Sequence, residues 1–177
     1  MVVSAPQATG IDLRDLEREA ALTLLFDRYH GQLLKLALML GAGPDDEDIV
    51  AEAFCELHRR WARLRTPDAA PAYLRSVVCN LVRMRLRHLE VVRRHTEWSA
   101  PYASSAEAEA VLREDRREVV AALRGLPERQ RQALVLRYWL DLREQEVADA
   151  MGISAGAVKA HVSRGMAALT RSLGARR

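Results

Sequence analysis

Two cysteines are too few to staple a fold. Cys55 and Cys79 both sit inside apolar helical patterns, so they are expected to be buried thiols in a reducing compartment. Cys55 and His58 have the spacing of half a zinc site, but no second half lies nearby, so no metal or other cofactor is expected. The first ten residues lack the charged start and apolar core of a secretion signal. No apolar run approaches the ~18 residues of a membrane span. A cytoplasmic protein is therefore expected. Aromatic residues make up only 5% of the chain, and no alternation of apolar and polar residues marks a strand. Internal repeats, a glycine-rich phosphate loop and the spacing of a catalytic triad are all missing, so an enzyme is not expected.

What is present is a helix-forming mixture. Ala, Leu, Arg and Glu dominate, and apolar residues reach 49% of 177 residues, enough for one ordinary domain or two small ones. Residues 1–11 read as a disordered tail. Residues 12–40 carry Leu16, Ala20, Leu24, Leu25, Leu33, Leu34, Ala37 and Leu38 at helical spacing, as one long helix or as two broken at Gly31. Residues 45–61 form a second helix with Ile49, Val50, Ala53, Phe54, Leu57 and Trp61 inward. Residues 64–72, with Pro67 and Pro71, are a loop. A third helix spans 73–92, with Leu74, Val77, Val78, Leu81, Val82 and Leu89 inward. Residues 95–110 lose periodicity and fill with Ser, Ala and Pro, as in a flexible linker, although Trp98 and Tyr102 are unusual in one. Helices then follow at 111–123 and 128–140, separated by Gly125, Leu126 and Pro127.

Charge is unevenly spread. The net charge is +3, with an isoelectric point near 9.2. Between Arg75 and Arg94 six arginines face one acid, Glu90, an excess larger than that of the whole chain. An arginine-rich helix near Trp61 and Tyr73 suits phosphates and stacked bases, or is simply a solvated face. Asp48, Glu52 and Glu56 form an acidic stripe at four-residue spacing. Like charges so placed repel, and the stripe is either a solvated face or a docking surface for a basic partner.

Residues 141–169 read as two helices joined by a tight turn. Val147, Ala148 and Met151 face inward on the first, and Asp141 with Glu144 offers a capping box at its start. Gly152 makes the turn, Ile153 plugs the corner and Ser154 caps the second helix. There Val158, Val162, Gly165 and Leu169 form the inner stripe. Lys159, Ser163 and Arg164 lie opposite, beside small Ala155, Gly156 and Ala160. This is the pattern of a helix-turn-helix whose second helix enters a DNA major groove.

The chain resembles an extracytoplasmic-function (ECF) sigma factor of bacterial RNA polymerase, a short member of the sigma-70 family. The resemblance runs over residues 20–173 and rests on residues 45–54, on 72–83, and on 126–131 followed by the helix-turn-helix; residues 59–75 point to the short actinobacterial-type members. It implies an all-α protein of two small helical domains, at 12–94 and 111–177, joined by the linker. It also implies core RNA polymerase (its clamp and flap), promoter DNA and an anti-sigma factor or other regulator as partners. By position it implies polymerase binding by Asp45, Asp48, Ile49, Glu52 and Glu56, and minus-10 recognition by Trp61, Tyr73, Arg75, Asn80, Arg83 and Arg87. Minus-35 recognition falls to Arg131, Arg143, Ser154, Lys159, Ser163 and Arg164. His161 and Met166 depart from the family, standing where many members have Arg. An alternative is a LuxR-type activator, whose recognition helix also matches residues 159–163 but whose amino-terminal half would contain strands.

Overall fold

The computed structural model describes residues 17–95 and 114–174. Among them are seven α-helices and no strand. The expected tail, nearly all of the expected linker, and Trp98 and Tyr102 within it lie outside the described residues.

Helices α1 (Arg18–Leu40), α2 (Asp46–Arg60) and α3 (Ala70–His95) pack as a bundle. Gly31 does not break α1. A mid-helix glycine costs about 1 kcal/mol relative to alanine, and the buried Leu25, Leu33 and Leu36 on either side outweigh that. Each fully buried leucine contributes about 1.5–3 kcal/mol. The helix stops at Gly41, whose φ of +96° is left-handed. The Ala42 N–H there donates to the Ala37 carbonyl at 2.9 Å, so an otherwise orphaned helix-end carbonyl is satisfied.

On α2, Ile49, Val50, Ala53 and Leu57 are buried, whereas Phe54 and Trp61 are only partly covered. Cys55, expected inside, is exposed. It falls on the far side of the helix from the buried stripe. The 64–72 loop contains a short 3-10 turn at Pro67–Ala69, and α3 begins earlier than expected. Pro71 does not prevent this, because a proline in the first helical turn gives up an N–H that has no partner there.

The second half comprises α4 (Glu114–Arg124), α5 (Glu128–Leu134), α6 (Glu144–Met151) and α7 (Ala155–Gly174). The expected helix 128–140 loosens into a π turn over Val135–Trp139. Gly165 lets α7 lie close on α5: a Cβ there would stand 3.1 Å from Leu134 and 3.2 Å from Gln130. The capping box expected from Asp141 and Glu144 does not form. Arg143 occupies the N-cap, and Glu146 accepts its backbone N–H at 2.7 Å. Asp141 instead takes a φ of +51° in the exposed connection.

The two halves touch. α3 lies along α6, and α1 meets α4, α5 and the π turn. One buried cluster runs through both, joining Val78, Cys79 and Val82 to Leu126, Val147 and Met151. The buried Gln132 donates its amide N–H to the Cys79 carbonyl at 3.2 Å, across the seam.

Candidate nucleic-acid interface

The turn between α6 and α7 has the geometry that its residues require. Gly152 has a φ of +63°. The Ile153 N–H reaches back to the Ala148 carbonyl at 3.1 Å, and the Ser154 hydroxyl accepts the Ala157 N–H at 3.2 Å. Val158 is buried, and Val162 and Leu169 are half-buried, so α7 is held by the expected stripe.

That packing leaves Lys159, Ser163 and Arg164 exposed on one face. Lys159 is paired loosely with Glu144 at 3.7 Å. His161 is half-buried between the faces, and its Nδ1 is buried without a hydrogen-bond partner. Burial, with help from Arg164 and Arg129, pushes its pKa below the ordinary value. The other residues assigned to minus-35 DNA sit differently. Arg143 is exposed at the N-cap of α6, and Ser154 spends its hydroxyl on the cap of α7. Arg131 is buried, its guanidinium packed on Gly41 and donating to the Arg124 carbonyl at 3.1 Å.

A second cluster surrounds the start of α3. Trp61 and Tyr73 are half-buried, and the Tyr73 hydroxyl donates to Glu56 at 3.4 Å. Arg75 is half-buried with its Nε unpartnered, and burial lowers its basicity. The Arg83 guanidinium donates to the Asn80 side-chain oxygen at 2.9 Å, which holds these two groups together one turn apart. Arg87 is exposed, whereas Arg85 is paired with Asp45. Arg93 and Arg94 have no described side chains. A cleft of about 400 Å³ opens here, and Arg63, Arg65, Tyr73 and Arg75 line it. Arg63, in a short 3-10 turn, and Arg65, in the loop after it, escaped the sequence reading because periodicity carries no information there.

The acidic residues of α2 are less exposed electrostatically than their spacing suggests. Asp48 is exposed, but Glu52 and Glu56 share Arg59 at 2.6 and 2.9 Å, and Arg60 also reaches Glu56 at 2.8 Å. Arg59 holds the Glu56 carboxyl below the usual range. Ile49 belongs to the core, and Asp45 is occupied by Arg85. Beside the stripe, Phe26 is 45% exposed, stacked on His30 and tilted against Phe54 at 5.1 Å. The described residues hold no metal-binding group, and no described helix is long and apolar enough to cross a membrane.

Two family models match in chain order: Sigma-70 region 2 over residues 25–90, and Sigma-70, region 4 over residues 116–169. The RNA polymerase sigma-E factor of Streptomyces coelicolor is 34% identical over 147 residues, covering 81% of each chain. The chain belongs to the sigma-70 family. A second relative, the ECF RNA polymerase sigma factor SigM of Mycobacterium tuberculosis, is 31% identical over 156 residues, covering 85% of this chain and 76% of that protein. The fold is that of the sigma factor RpoE in its complex with the anti-sigma factor NepR from Bartonella quintana. That match has a TM-score of 0.68 at 20% identity, over 90% of this chain and 98% of that one. CnrH, solved with the cytosolic domain of CnrY, matches with a TM-score of 0.65 at 23% identity, over 90% of this chain and 92% of that one. The protein is thus an ECF sigma factor that directs transcription by RNA polymerase, and the LuxR-type alternative is not favoured. Its amino-terminal half matches sigma region 2 and shows no strand among the described residues.

Proposed function

We propose that residues 12–94 dock on the polymerase clamp and open the minus-10 element, while residues 111–177 fix register on the minus-35 duplex. The observation that carries this reading is the helix-turn-helix with Lys159, Ser163 and Arg164 on its free face, joined in one chain to the arginine-lined cleft at the start of α3. Asp48 and Glu52 on α2 present negative charge to the clamp. The exposed Phe26 and the half-buried Phe54 beside it supply the apolar centre that a polar rim alone would lack. Melting requires no covalent chemistry. A flipped base loses its stacking, and Trp61 and Tyr73 offer aromatic faces to replace it. Arg75, Arg83 and Arg87 neutralise the backbone beside it, and the Asn80 amide can donate and accept at a base edge.

On α7, the Arg164 guanidinium can fork onto a guanine edge, while Lys159 suits a phosphate. The protein works in the cytoplasm, where polymerase and genome are, and acts as a specificity subunit rather than as an enzyme. An anti-sigma factor or other regulator controls it, a reading supported by the named complexes of its structural neighbours. Run-off transcription with purified core polymerase on a promoter library tests the assignment. Initiation at a shared pair of sequence elements is expected, and failure to stimulate specific initiation would reject it.

A further inference from the structure

Thr66 carries a hydroxyl that the fold does not use. It opens the 3-10 turn Pro67–Ala69 from an extended backbone, with a φ of −150° and a ψ of 151°, and its side chain makes no capping hydrogen bond to that turn. A threonine so placed ordinarily spends its oxygen on a backbone N–H. Here the residue is exposed to solvent instead.

The surroundings of Thr66 are cationic. Arg63 and Arg65, just before it in the chain, are exposed, and neither forms an ion pair among the described residues. Both line the cleft at the start of α3, together with Arg60 and Arg75. Arg60 is already paired with Glu56 at 2.8 Å, and Arg75 is half-buried. The acids of this region are engaged. Glu146, on the rim of the cleft, accepts the Arg143 backbone N–H at 2.7 Å, and Asp149 accepts the Gln145 side-chain amide at 3.0 Å. Asp68, two residues after Thr66, has a partner of its own. Two guanidiniums are thus left without an anion beside an uncommitted hydroxyl. A phosphate on that hydroxyl carries a charge of about −1.5 to −2 and three strong acceptor oxygens, and arginines facing it donate charge-assisted hydrogen bonds.

We propose that Thr66 is a phosphorylation site whose phosphate is held by Arg63 and Arg65 and closes the cleft to DNA. The donor is a nucleoside triphosphate bound to a serine/threonine kinase. The Thr66 Oγ attacks the γ-phosphorus and its proton passes to a carboxylate of the kinase. The bond from that phosphorus to the β–γ bridging oxygen breaks, and nucleoside diphosphate leaves. Arg60, Arg63 and Arg65 all lie on the amino-terminal side of Thr66, so the extended segment is complementary to an acidic kinase groove. Closure of the cleft rests on the reading above, in which these arginines face the melted strand. The phosphate site itself does not depend on that reading.

The full-length protein and Thr66→Val are incubated with an arginine-directed serine/threonine kinase and labelled ATP. Labelling is expected in the first and not in the second. Labelling that survives Thr66→Val undiminished, or none in either protein, would overturn the site. Phosphorus NMR then titrates the phosphate in full-length protein carrying genetically encoded phosphothreonine at position 66. Its second pKa is expected to lie about half a pH unit or more below the ~6 of an exposed phosphate, and Arg63→Ala with Arg65→Ala to restore it. An unshifted value would overturn the role of the two arginines. Permanganate reactivity of minus-10 thymines in the polymerase complex reads the consequence. The phosphorylated protein is expected to open DNA about tenfold less than the unmodified one, and Thr66→Val to match the unmodified one. Equal opening by the phosphorylated protein would overturn the closure. Failure of the unmodified protein to open any promoter would instead reject the functional reading and leave the phosphate site standing.

Discussion

His161 shows how one side chain records its surroundings. It is half-buried, with an unpartnered Nδ1 and with Arg129 and Arg164 for neighbours. Each of these disfavours the imidazolium, so its folded pKa lies below the ordinary 6.5. As pH falls, the unfolded chain takes up the proton first. The stability linked to this group is therefore complete above about pH 6.5 and is lost as pH drops from there through the folded pKa. His161→Gln should flatten the fall in melting temperature between about pH 7 and pH 5, which paired thermal scans will show. At the opposite face, Arg164→Ala should relax preference at particular minus-35 positions, each worth ~1–3 kcal/mol. Lys159→Ala should weaken all promoters alike and lower the salt slope by about one unit. Transcription from a randomised minus-35 library at two salt concentrations separates the two. An unchanged sequence preference in Arg164→Ala would remove that residue from base reading.

Among the helices, α2 divides its work between faces. Ile49, Val50, Ala53 and Leu57 hold it to the bundle, and Asp48 and Glu52 stand outside. Because Arg59 already bridges Glu52 and Glu56, the stripe is less negative than its residue count implies. Such exposed pairs contribute little to stability, so reversing the charges should leave the fold intact. The Asp48→Lys, Glu52→Lys double variant should weaken core polymerase at least tenfold, about 1.4 kcal/mol, in a pull-down titration. Retained affinity would shift the docking surface elsewhere, with the aromatic patch at Phe26 as the next place to examine.

The molecule as a whole has one continuous core, although its chain consists of two matched regions. Residues on α3 and α6 lose their apolar surface to each other, so neither half is complete while the other is detached. Calorimetry of the free protein should therefore give a single cooperative transition with matching calorimetric and van't Hoff enthalpies. Two transitions would show that the seam adds little to stability.

Local rules were legible in the sequence because each depends on neighbours within a turn or two. Gly152 and Ser154 sit where the helix-turn-helix needs a left-handed residue and a hydroxyl cap, and Val158 faces inward at helical spacing. The same locality explains what the sequence left open at Gly31 and misplaced at Cys55. Gly31 carries a breaking propensity that packing on both sides overrides, and Cys55 carries a burying propensity that its angular position denies it. What the sequence could not display is any contact between α3 and α6, since no periodicity relates residues some seventy positions apart. Packing between the two halves decides that Arg131 and Gln132 are buried, that Cys79 is sealed, and that Glu146 and Asp149 line one cleft with Arg63, Arg65 and Arg75. Sequence alone determined which helices form and which carry the cations and small side chains proposed to read DNA. Tertiary packing decided which of those groups are free to do so, because burial and charge pairing depend on whatever comes to lie opposite.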